Sequence, residues 1–157
     1  MTHHFEIVKF TKDHIPEGLD LLHDYKKHYE ANFPKTVIST DKHEELPILQ
    51  HAFEEGEING YTAIKNGKVI GCAVFEIIQM PHNFESPECL YIYELMVKKD
   101  FTKRGIGKDL LKRVKEYANT RGIDKILFES RDFETKGINF YKKQGFQDYS
   151  RVMVLDV

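Results

Sequence analysis

Apolar residues recur at two periods along this chain, and the change near residue 60 marks where a helical first part gives way to alternating strands. Phe5 to Phe10 alternates well enough for an opening strand. Thr11 or Asp13 can then cap a helix entered through Pro16, because a short polar side chain accepts from a first-turn amide and proline has no amide to leave unpaired. Leu19, Leu22, Tyr25, Lys26 and Tyr29 give that helix a partly apolar face. A second helix is expected from Asp41, with Asp41 and Glu44 at capping-box spacing. It carries Leu46, Leu49, Ala52 and Phe53 and is kinked or divided at Pro47. The connection from Ala31 to Thr40, with Pro34, is expected to be the most mobile part.

From residue 60 the period is two. Tyr61 to Lys65 and Val69 to Met80 flank Asn66-Gly67, a pair whose tolerance of positive φ predicts a tight hairpin. A third strand runs from Cys89 to Val97. Ile106, Leu110, Leu111, Val114, Tyr117 and Ala118 then return to helical spacing, ending near Arg121-Gly122. Lys125 to Ser130 predicts a short strand parallel to the previous one, with the intervening helix as crossover. Lys136 to Gln144 predicts a helix stopped by Gly145, and Val152 to Val157 is expected to close the sheet. The order β, α, α, β, β, β, α, β, α, β describes an α/β fold with a mixed, mostly antiparallel sheet.

The 157 residues, 41% apolar and 31% charged, suit one domain spanning 1–157 with its own core. No segment is apolar enough to span a membrane, and Met1 to Glu6 does not resemble a signal peptide. Cys72 and Cys89 lie in apolar, strand-like surroundings, so reduced thiols and a cytoplasmic location are expected. Charge is distributed unevenly. Residues 1 to 89 hold eight Lys/Arg against fifteen Asp/Glu, whereas residues 90 to 157 hold fifteen against ten. That division is consistent with an anionic cofactor on the second part and a cationic substrate facing the first. The weakly acidic total argues against nucleic-acid binding.

The most informative stretch runs from Leu95 to Lys108, an apolar strand entering a basic, glycine-containing turn that opens a helix. First-turn amides and the positive end of the helix dipole make such a turn an anion site, and Lys98, Lys99, Lys103, Arg104 and Lys108 add attraction. A dinucleotide-binding fingerprint would need a third glycine where Leu110 stands. A Walker loop would need Ser or Thr where Asp109 stands.

With Phe140-Tyr141 and Gly145-Phe146 downstream, the pattern resembles the GNAT superfamily of acyl-CoA dependent N-acetyltransferases, over roughly residues 60 to 157. The resemblance implies a GNAT-like central sheet splayed at its middle strands, with acetyl-CoA as acetyl donor and no metal. It implies that Leu95, Met96 and Val97 offer backbone groups to the pantetheine arm. The turn Thr102, Lys103, Arg104, Gly105, Ile106, Gly107 and Lys108 would hold the pyrophosphate, and Asn139 and Lys142 would touch the cofactor. Thr102 stands where the family usually has Gln or Arg, Lys99 where proline is common, and Glu134 and Gly137 where Asn and Ala are frequent. Tyr141 maps onto the tyrosine that in many members protonates the leaving thiolate.

An ammonium must lose a proton before it attacks a thioester, and Glu94, in an otherwise apolar strand, is the candidate base. Alternation puts Glu94 on one face with Ile92 and Met96, opposite Tyr93, Leu95 and Val97. Glu76 is a second acidic candidate. Tyr25, His28, Tyr29 and Phe33 are expected to line the acceptor pocket, where aromatic and imidazole rims suit a cationic amine. The histidines show no metal-ligand spacing. The expected activity is direct acetyl transfer to a primary amine, either a small polyamine- or aminoglycoside-like molecule or a lysine side chain. The alternative is a non-catalytic acyl-CoA sensor on the same scaffold. A homodimer could form through an exposed C-terminal strand.

Overall fold

The computed structural model describes residues 4–32, 42–80, 85–130, 135–153 and 155–157. Strand β1 (Glu6–Lys9) leads through a single 3-10 turn into α1 (Ile15–Asn32), followed by α2 (Lys42–Glu54). The entry turn is fastened locally, since the Thr11 amide donates to His14 Nδ1 at 3.0 Å. Strands β2 (Asn59–Lys65), β3 (Lys68–Gln79) and β4 (Glu88–Val97) come next, then α3 (Ile106–Thr120), β5 (Ile126–Phe128) and α4 (Thr135–Lys143). The sheet order is β1-β2-β3-β4-β5, antiparallel throughout except for the parallel β4–β5 pair that α3 bridges. Asn66 (φ 51°) and Gly67 (φ 71°) both adopt the left-handed conformation that a two-residue hairpin requires, as their sequence predicts.

Two apolar layers flank the sheet. On one face α3 buries Ile106, Leu110, Leu111, Val114 and Ala118 against Ala73, Phe75, Leu90 and Ile92. On the other, α1 buries Ile15 and Leu19 against Phe10, Cys72 and Met96, with Leu46, Leu49 and Phe53 of α2 packed around them. The helix α2 contains Pro47 within its first two turns and remains one element. Cys72 and Cys89 are free and buried. They lie opposite Met96 and Ile78 respectively, which separates them along β3 by about 20 Å, too far for a disulfide. No helix among the described residues is long and apolar enough to cross a membrane.

One expected element differs. Among the described residues beyond α4 no strand forms, and Val152, Met153 and Leu155 are 75%, 86% and 83% exposed. Apolar alternation there supplies strand propensity, but a strand also needs a ladder partner, and none is paired with it. The capping position Asp41 and most of the Ala31–Thr40 connection lie outside the described residues.

Candidate active site

The site is organised by an irregularity in β4. Phe75 pairs with Ile92 and Val74 with Glu94, so Tyr93 is an extra residue with no partner of its own on β3. This bulge changes the phase of the strand. Leu90, Ile92, Leu95 and Val97 all contribute to the core beneath α3, whereas Tyr93, Glu94 and Met96 line a cavity under α1 and α2. The expectation that Ile92 shares a face with Glu94 and Met96 is therefore corrected, and so is the placement of Tyr93 opposite Glu94. Regular alternation holds only where every residue has one partner across the ladder. A signal was present, because the core apolar positions run 90, 92, then 95, 97, a step of three inside a period of two.

The parallel pairing of β4 ends at the same place. Its register with β5 covers Leu90, Tyr91 and Ile92 against Ile126, Leu127 and Phe128, while β4 itself continues to Val97. From Glu94 onward β4 pairs with β3 alone among the described residues. β5 ends at Phe128, which leaves one edge of the Leu95–Val97 backbone unpaired with it.

The cavity beside this segment encloses about 490 Å³. Its sheet wall carries Cys72, Val74 and Met96 with the polar groups of Glu76, Tyr93 and Glu94. The Tyr93 hydroxyl donates to Glu76 Oε2, and that bond to a carboxylate, more than burial, pushes the phenol up to about 12. Tyr91 meets Tyr93 edge-on at 5.1 Å and is also raised, chiefly by burial. Cys72, with burial as the main cause and the charge of Glu94 as the lesser, is pushed up to about 12 and stays a thiol. On the helical side, Lys26 Nζ pairs with Glu45 Oε1 at 3.2 Å, and His23 Nε2 lies 3.8 Å from Glu45 Oε2. This ion pair ties α1 to α2 and is something the sequence pattern did not single out.

At the end of β4 the chain makes a short, solvent-facing turn. The Lys98 amide donates to the Ile70 carbonyl at 2.8 Å, and a 3-10 turn over Lys99–Phe101 follows. Lys103 (φ 61°) and Gly105 (φ 82°) are both left-handed, and Gly105 caps α3, its carbonyl accepting from Asp109 at 3.0 Å. The amides of Ile106, Gly107 and Lys108 belong to the first helical turn and have no acceptor within the helix. Ile106 is anchored in the core, while Lys103, Arg104 and Lys108 are exposed. An acidic ligand of the phosphate type fits such a turn, with open backbone donors, positive charge and no side chain at residue 105.

Two contacts in the turn were not foreseen. The Thr102 hydroxyl donates to the Lys99 carbonyl at 2.9 Å, closing the turn. Lys65, from the β2 hairpin, stands 5.6 Å above the Phe101 ring, and the Arg104 guanidinium lies 5.3 Å from the same ring. Lys65 thus adds a cation to the region from a distant part of the chain.

Tyr141 lies on α4, 7% exposed, with its ring stacked on Phe128 at 3.9 Å and edge-on to Phe140 and Phe146. Its hydroxyl is buried. Phe140 reaches the turn, since a Cβ on Gly107 would stand 3.4 Å from its Cζ and 3.6 Å from Leu95 Cδ2. Residue 107 is where α3, α4 and β4 converge. Asn139 is exposed on α4, and Lys142 pairs with Asp148 at 3.2 Å. Of the expected acceptor residues, Glu76 lines the cavity, whereas Tyr25 is 39% exposed and does not; its neighbour Lys26 does. The side chains of His28 and Tyr29, and all of Phe33, lie outside the described residues.

Comparison with known proteins agrees with this architecture. Residues 20–146 match the model of the Acetyltransferase (GNAT) family. The chain is 31% identical over 145 residues to the N-acetyltransferase MJ1207 of Methanocaldococcus jannaschii, covering 92% of this chain and 61% of that protein. It thus spans about three-fifths of that curated relative's length. Among solved structures, BH1408 from Bacillus halodurans superposes with a TM-score of 0.86 at 18% identity, covering 97% of this chain and 99% of the other. The aminoglycoside N-acetyltransferase AAC(6')-Iy in complex with CoA superposes with a TM-score of 0.79 at 18% identity, covering 98% and 95%. At these identities the superpositions establish a shared fold.

Proposed function

Because the chain belongs to the GNAT acetyltransferase family, we propose that it transfers an acetyl group from acetyl-CoA to the primary amine of a small molecule, by direct attack in a ternary complex. The observation that carries this reading is the behaviour of β4. One strand places Glu94 in a cavity, frees an edge of its backbone over Leu95–Val97, and ends in the basic turn at Thr102–Lys108.

Each part has a chemical task. The first-turn amides of α3 with Lys103, Arg104 and Lys108 hold the pyrophosphate of the donor, aided by Lys65 across the Phe101 ring. The uncovered backbone of Leu95, Met96 and Val97 orients the pantetheine arm and polarises the thioester carbonyl. Glu94 takes the proton that an incoming ammonium must lose, and the Tyr141 hydroxyl returns a proton to the departing thiolate. The partners Asp148 for Lys142 and Lys99 for Thr102 favour structural duties for these two side chains over contact with the donor.

Purified protein given acetyl-CoA and an amine panel is expected to release free CoA thiol with matching acetylated product. Calorimetry showing no CoA binding would refute the reading. Tyr141→Phe should lower kcat by about a hundredfold while leaving CoA affinity within about twofold. An equal loss in both would assign Tyr141 to packing against Phe128. Tight CoA binding without turnover on any amine would favour the acyl-CoA sensor.

A further inference from the structure

We propose that the β2–β3 hairpin is a second phosphate site for the donor, in which Lys65 and Lys68 hold the phosphomonoester on the ribose of free CoA. This rests on the acetyl-transfer reading above and specifies its donor as acyl-CoA itself, in preference to a donor without that phosphate, such as 3'-dephospho-CoA or pantetheine on a carrier protein. The argument comes from a repulsion built into the hairpin and from where the hairpin stands.

Lys65 and Lys68 are direct partners across the two-residue turn at Asn66-Gly67. Opposed residues of an antiparallel pair share a face, and like charges in that relation destabilise the pair. A turn of two residues fixes the register, so the backbone cannot slip to separate them. Such a local conflict is what a binding site leaves in a sequence.

The face they share is that of the basic turn. The Lys65 ammonium stands 5.6 Å over the Phe101 ring, and the Arg104 guanidinium lies 5.3 Å from the same ring. Hairpin and turn are also fastened together, since the Ile70 carbonyl of β3 accepts from the Lys98 amide at 2.8 Å.

This concentration of charge exceeds what a pyrophosphate needs. Residues 65–68 and 98–109 together carry seven lysines and arginines against Asp100 and Asp109. The esterified pyrophosphate of CoA brings one negative charge on each phosphorus. Its ribose phosphomonoester adds about two more at pH 7, with three strong acceptor oxygens. With the first-turn amides of α3 assigned to the pyrophosphate, two lysines on one face at the margin of the turn suit the remaining group, because each ammonium offers several donors.

The test titrates the whole chain with CoA and with 3'-dephospho-CoA by calorimetry, for the wild type, for Lys68→Gln and for the double variant Lys65→Gln/Lys68→Gln. The wild type is expected to bind CoA about tenfold tighter than 3'-dephospho-CoA. Lys68→Gln should reduce that preference about threefold and the double variant should abolish it, by weakening CoA far more than its analogue. Equal binding of the two by the wild type, a preference that survives the double variant, or equal weakening of both ligands would overturn the proposal. Lys68→Gln also relieves the repulsion, so the urea midpoint of the unliganded chain should stay the same or rise. A fall would make Lys68 a structural residue and count against the site.

Comparing acetyl-CoA with acetyl-3'-dephospho-CoA as donors to the amine panel separates the two readings. The expected preference in binding with no amine acetylated would sink the transferase reading and leave the phosphate site standing. Acetylation at equal kcat/KM from both donors would do the reverse.

Discussion

The two faces of β4 are built to opposite specifications. Toward α3, Leu90 and Ile92 are sealed under Leu110, Leu111 and Val114, all at 0–1% exposure. Toward α1 and α2, the same strand presents Tyr93, Glu94 and Met96 to a cavity of about 490 Å³, and Tyr93 is 46% exposed. One face is filled and the other is left open. Stability and chemistry can therefore be perturbed separately, although the residues responsible are neighbours in sequence.

The largest expected effect is on the filled face. Leu110→Ala should cost about 3 kcal/mol, because a fully buried leucine in a packed layer leaves a void that cannot collapse. Leu49→Ala, on the cavity wall, should cost less than about 1 kcal/mol, since its methyls already border open space. Urea denaturation of both variants would settle the matter, and similar losses would erase the distinction between the faces. Next, Glu94→Gln should lower kcat about a hundredfold with an unchanged urea midpoint, the converse of Leu110→Ala. Steady-state kinetics beside the denaturation curves would reveal a structural role if both moved together.

A smaller effect is expected at the end of the strand. In Gly105→Val the added Cβ meets no atom within 4 Å, but a β-branched residue is forced to φ 82°, at about 1–2 kcal/mol, and the change should weaken CoA binding by disturbing the start of α3. The smallest concerns Cys72. Its folded-state pKa, about 12 against an ordinary 9.0, means that folding favours the protonated thiol. That contribution is complete below pH 9 and is lost as pH rises toward 12. The wild type should accordingly lose more stability than Cys72→Ala between pH 8 and pH 10.5, and parallel losses would show that the thiol is not coupled to folding.

How much of this was legible in the sequence follows the same division. The filled face declares itself, because Ile106, Leu110, Leu111, Val114, Tyr117 and Ala118 recur at helical spacing and all are buried except Tyr117, which is half-buried against the same core. The hairpin at Asn66-Gly67 was equally plain, since few residue pairs accept two positive φ values in succession. The open face is written more faintly. Leu19, Leu22, Leu49 and Phe53 serve both as packing and as cavity wall, and no periodicity distinguishes a leucine beside space from one beside another leucine. Glu94 could be singled out as an acid in an apolar strand. Its companions could not, because a bulge is a relation between two strands. The Lys26–Glu45 pair and Lys65 above Phe101 depend likewise on contacts between segments far apart in the chain. At residues 152–157 apolar alternation was read as a strand where the described residues show none, since composition supplies propensity without a neighbour.

The extra residue in β4 has an implication for how this protein tolerates insertion and deletion. A regular strand can direct only every second side chain to one side, yet here two consecutive ones, Tyr93 and Glu94, enter the same cavity. Removing one residue from a strand ordinarily inverts everything beyond it. Here Ile92 already faces Phe75 and Glu94 already faces Val74, so excising Tyr93 would join two stretches that are in phase. A chain lacking residue 93 should fold with Glu94 still directed at the cavity, having lost the hydroxyl that contacts Glu76 and the ring that meets Tyr91.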